Sequence, residues 1–203
     1  MKNQNQTRNP LTSLKFPLLL ASLALLPALA QAHHLPGQTG GFASGLGHPL
    51  HGLDHILAMV AVGLWAAQSG GRSLWLLPLT FISLMTVGGA LGLMGVQMPM
   101  VEAGILASVL ILGVLIAAAA RLPLAAGMTV VGLFAVFHGH AHGTEIPHAV
   151  SGVSYGIGFV LATLGLHACG LGLGLAAQNR FNVPVIRFAG AAVVIAGLCL
   201  WLA

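Results

Sequence analysis

Histidine outnumbers the acidic residues ten to three in this chain of 203 residues, and the histidines are concentrated. Seven of the ten lie in two short stretches, residues 48–55 (HPLHGLDH) and 138–148 (HGHAHGTEIPH), which also hold Asp54 and Glu145. On a helix, His48, His51 and His55 fall on one face with Asp54 alongside, so three imidazoles and a carboxylate form a single stripe. In the second stretch His138, His142 and Glu145 share a face at i, i+4 and i+7. His140 points nearly opposite, and Pro147 ends the helix. Imidazole and carboxylate without thiolate make a ligand set suited to Ni²⁺, Co²⁺, Zn²⁺ or Cu²⁺. Asp54 either completes the coordination shell or orients a ligating ring through its second nitrogen. His140 and His148 read better as solvated histidines than as ligands. Met59, one turn below His55, would add a thioether for a softer ion, although methionine at helical spacing more commonly packs.

The elements that hold these residues belong to a bilayer. Only 5% of the residues are charged and 57% are hydrophobic, with a mean hydropathy of +0.96. A soluble domain carries roughly 25% charged residues. Nucleic-acid binding is excluded as well, because the net charge of +4 comes from single scattered basic residues rather than a basic patch. The polar start with Lys2, Arg8 and Lys15, the apolar run from Phe16 to Ala30 and the small residues around Ala30-Gln31-Ala32 have the order of a secretory signal peptide. The alternative, a retained first transmembrane helix, has too short an apolar run for the ~20 residues a span needs. Cleavage after Ala32 would leave His33-His34 at a new N-terminus, either as a metal-collecting tail or as a solvated one. Residues 33–203 then form one domain. It divides into six apolar segments at 49–67, 73–95, 101–120, 123–142, 149–177 and 184–203. The expected fold is an all-α membrane protein of six transmembrane helices after a cleaved signal peptide. Glycines four apart, at Gly88/Gly92, Gly152/Gly156 and Gly170/Gly174, have the spacing of close helix contacts in lipid.

Arg72, Arg121, Arg180 and Arg187 all fall in or beside the loops after the first, third and fifth segments. By the positive-inside rule that side is cytoplasmic, and both mature termini face outward. The same topology puts both histidine stretches at the outer face. Cys169 and Cys199 then sit near opposite faces, too far apart for a disulfide, and read as packing residues. His167, within the fifth segment, is open to two readings: an inner relay ligand or a hydrogen-bonded packing histidine. Beyond the signal segment the chain contains no lysine, which excludes a Walker-type phosphate loop. Entry of a divalent cation down the membrane potential supplies roughly 4.6 kcal/mol per 100 mV, about a thousandfold accumulation.

HPLHGLDHILAM (48–59) and FHGHAHGTEIP (137–147) resemble the two signature stretches of the HupE/UreJ family of nickel/cobalt permeases, HPxxGxDHxLAM and FHGxAHGxE. The likeness extends to the signal segment, the six-span layout and the LHAxG segment around His167. It implies a permease of the bacterial inner membrane that imports Ni²⁺, or Co²⁺ in some members, for hydrogenase or urease maturation. No organic cofactor and no nucleic-acid partner are implied. By that resemblance His48, Asp54, His55, His138, His142 and Glu145 are the metal residues. His51 occupies a variable position of the pattern and rests on helical geometry alone. The competing readings are an intramembrane zinc hydrolase with Glu145 as general base, and a metal-binding accessory protein that does not transport.

Overall fold

The computed structural model describes residues 41–146, 150–180 and 184–203. The signal segment, His33-His34 and His148 lie outside the described residues. Seven α-helices follow one another: α1 (Gly41–Gly47), α2 (Leu53–Ser69), α3 (Ser73–Leu93), α4 (Val101–Ala117), α5 (Leu124–Thr144), α6 (Gly152–Arg180) and α7 (Pro184–Leu202). A short 3₁₀ turn, His48–Leu50, joins α1 to α2, and no strand occurs among the described residues. Helix α2 is the axis of the bundle. From Ala58 to Ala67 only Val60 escapes full burial, and α3, α4, α6 and α7 all pack against it. The outward faces carry exposed Trp75, Leu79, Val87, Leu133, Ile157, Ile195 and Trp201, an apolar coat suited to lipid.

Four helical stretches are long and apolar enough to cross a membrane: Ser73–Leu93, Leu124–Thr144, Gly152–Asn179 and Val185–Leu202. The third expected segment yields the 17-residue helix α4. The first departs most from expectation, because it is not one helix. Gly41–Leu50 and Leu53–Ser69 meet at a bend of 80°. Two residues explain the break. Pro49 supports the tight 3₁₀ turn, closed by His51 N–H donating to His48 O at 3.1 Å. Gly52 then adopts an extended conformation (φ −97°, ψ 119°) as the N-cap of α2. A Cβ on Gly52 would lie 2.7 Å from Asp54 Oδ1 and 2.8 Å from His55 Nδ1, so a side chain there would push this hydrogen-bonded pair aside.

Two of the three glycine pairs make the close contacts their spacing suggests. On α3, Gly88 and Gly92 lie against the main chain of α5 at Val136 and His140, while Gly139 and Gly143 of α5 lie against Met85 and Gly89 of α3. A Cβ at any of these four would collide with a carbonyl oxygen. Gly63 of α2 and Gly170 of α6 form an equivalent seam against His167 and Val60. Gly156 meets nothing. Cys169 and Cys199 are free thiols, but both are exposed on helix surfaces rather than packed inside.

Candidate metal centre

The bend at Gly52 decides which histidines meet. His48, on the 3₁₀ turn, points back to the end of α5, where its Nε2 lies 2.8 Å from Glu145 Oε2. His142, one turn earlier on α5, places its Nδ1 3.6 Å from the same oxygen, a contact too long for a hydrogen bond. Ligand atoms of His48, His142 and Glu145 all lie within 4.8 Å of one another. A cation there would take the place of the proton shared by His48 and Glu145. Glu145 follows the helix, half exposed. The imidazoles of His142 and then His48 hold its carboxyl down at about 2, against the opposing effect of partial burial.

Deeper in the bundle the donors become purely imidazole. The His55 ring lies 4.3 Å from His142 and 4.8 Å from His138, centroid to centroid, so α2 and α5 face each other through three histidines. His138 precedes His142 by four residues, roughly 6 Å further along the helix. Asp54 orients this group. Its Oδ1 accepts both the main-chain N–H of His55 and the ring Nδ1–H, each at 2.8 Å. A carboxylate only accepts, so the His55 proton sits on Nδ1 and Nε2 keeps a free lone pair. That Nε2 is buried and has no partner; the same holds for His138 Nδ1 and both nitrogens of His142. Buried polar atoms are nearly always paired, so four unpaired nitrogens on three touching rings are donors that a cation could take up. Tyr155 and Phe159 of α6 wall the outer part, with Phe159 4.3 Å from the His142 ring.

The remaining candidates lie elsewhere. His51 is exposed and makes no contact with the group, because the turn at Pro49 and Gly52 removes it from the stripe on which helical spacing would place it. His140 points away from the cluster, as its spacing requires, but it is buried rather than solvated, because its Nε2–H donates to Val96 O at 2.6 Å. Glu102 is exposed in the first turn of α4. Met59 is buried in the core. His167 is buried with neither nitrogen partnered, and its ring packs 5.0 Å from Phe81, which in turn lies 5.6 Å from His138. Ser108 escaped the reading of the sequence. It lies 2.9 Å from His138 Nε2 and is fully buried. It is the one polar side chain between Glu102 and Arg121, and that isolation within an apolar helix is the signal for it.

Residues 20–200 match the family described as HupE / UreJ protein. Protein HupE of Rhizobium leguminosarum bv. viciae is 44% identical over 186 residues, which cover 92% of this chain and 96% of that protein. No solved structure matches.

Proposed function

The chain belongs to the HupE/UreJ family, and on that premise we propose that it is an inner-membrane permease importing a divalent transition metal. The family is one of transport and accessory proteins, not of enzymes, which removes the hydrolase alternative. It is associated with nickel and cobalt uptake. Ni²⁺ is the first substrate of this reading and Co²⁺ the second. The observation that carries the proposal is the graded ligand set. A mixed His48/His142/Glu145 group at the outer rim leads to His55 and His138, whose free nitrogens lie further in.

The rim supplies a negative charge that attracts the hydrated cation, and the imidazoles beneath exchange for its water. Asp54 keeps the His55 lone pair directed at the ion rather than at a proton. In this reading residues 1–32 are a removed signal peptide and residues 33–203 form the permease. The arginine end faces the cytoplasm, and the membrane potential drives entry. Hydrogenase or urease maturation would consume the imported ion.

The test is Ni²⁺ accumulation in cells without another nickel importer. Cells expressing the wild-type chain should accumulate the ion, and cells expressing His55→Ala should remain at background. Equal accumulation in the two would overturn the proposal.

A further inference from the structure

Ser108 makes two contacts, and together they fix where a proton lies. Its Oγ is 2.5 Å from Ile105 O, one turn back on α4, and 2.9 Å from His138 Nε2 on α5. A serine hydroxyl has one proton to donate and lone pairs to accept with. A carbonyl oxygen only accepts, and the contact to Ile105 is at the short end of O–H···O geometry, so the hydroxyl proton belongs there. The imidazole must then donate: His138 carries its proton on Nε2, directed at Ser108. The opposite arrangement would leave an Nδ1–H buried with no acceptor, since His138 Nδ1 has no partner and the ring is fully buried.

We infer that Ser108 is a positioning residue that sets the tautomer of His138 and thereby turns an unprotonated Nδ1 toward the metal. The inference rests on the reading of His138 as a metal ligand. Ser108 does for His138 what Asp54 does for His55, by a neutral route. Asp54 consumes the Nδ1 proton of one ring and frees Nε2, while Ser108 consumes the Nε2 proton of the other and frees Nδ1. The two rings meet edge-on, 4.8 Å apart at an interplanar angle of 89°. Partners of this kind govern ligand basicity and ring orientation, and their loss typically weakens metal binding by roughly 10–100-fold.

The experiment uses the full-length protein in lipid nanodiscs with ¹⁵N-labelled histidine. The His138 ring signals are assigned by comparison with His138→Gln. In the metal-free wild type, ¹⁵N shifts should report a protonated Nε2 and a bare Nδ1. Ser108→Ala should lose that signature and bind Ni²⁺ roughly 10–100-fold more weakly in a direct titration. Ser108→Thr, which keeps the hydroxyl, should restore both. The helical circular dichroism of each variant shows whether the bundle is intact. A protonated Nδ1 in the wild type, or wild-type Ni²⁺ affinity in Ser108→Ala, overturns the inference. A wild-type protein that binds no Ni²⁺ would instead sink the transport reading, leaving the tautomer to be decided by the nitrogen shifts alone.

Discussion

At the end of the bundle opposite the histidines, polar side chains are used up by the fold. Trp65 Nε1 donates to Ala120 O, Gln68 Nε2 to Ile116 O, Gln178 Nε2 to Ala67 O and Arg187 Nε to Ala117 O, all between 2.8 and 3.1 Å. Each bonds a carbonyl at or just beyond the C-terminal end of a helix, where helical N–H donors run out, although Ile116 O also accepts from Ala119 N–H at 3.0 Å. Of these four side chains only Gln68 Oε1 is left buried without a partner. At the histidine end the pattern reverses: His55 and His138 each have one nitrogen anchored and one spare, and both nitrogens of His142 are spare. The polar groups at the far end are largely consumed by the fold, whereas the three facing histidines each keep an atom in reserve.

The largest effect should come from breaking the reserve. His55→Ala and His138→Ala should each cut Ni²⁺ uptake by about 100-fold or more, and the double variant should be hardly worse, because residues acting as a unit are strongly non-additive. Losses that multiply would mean two independent sites and dissolve the shared centre.

A smaller effect is expected from protons. Glu145, held down at about 2, stays ionised between pH 7.5 and 5.5, so only imidazoles compete with the metal in that range. Protons and metal compete for the same imidazole nitrogens, so such a drop in external pH should raise the apparent KM. Maximal uptake into proteoliposomes at a clamped potential should stay constant. Faster saturating uptake at acid pH would indicate proton coupling instead.

The smallest change belongs to the opposite end. Gln178→Ala should lower unfolding stability by about 1 kcal/mol, the worth of one hydrogen bond, while uptake stays within about twofold of wild type. A transport defect equal to that of His55→Ala would erase the distinction between the two ends.

Much of this was legible in the residues. Every apolar segment contains a helix, His138, His142 and Glu145 lie at one end of α5, and His140 turns away as its spacing requires. The bend was not legible, because hydropathy over 49–67 does not register direction. Pro49 and Gly52 are common near helix starts, and only the packed structure shows that together they swing His48 onto Glu145 and leave His51 outside. Ser108 was hidden for a different reason. Its partner is 30 positions away in sequence, and contacts between helices leave no period to read.

The glycine seams bear on how an ion could leave. With main chain against main chain along α3–α5, and again along α2–α6, each pair should move as one body, since prying it apart would break these close contacts together. His138 and His142 ride on the first body and His55 on the second, so the proposed ligands straddle the joint between them. A rocking of one body against the other would pull the donors off the ion and open its path in a single movement, with no separate gate. Spin labels on α3 and α5 should keep their separation when Ni²⁺ is added, while labels on α2 and α5 change theirs. A shift across the α3–α5 seam would mean that the machine bends where the glycines weld it.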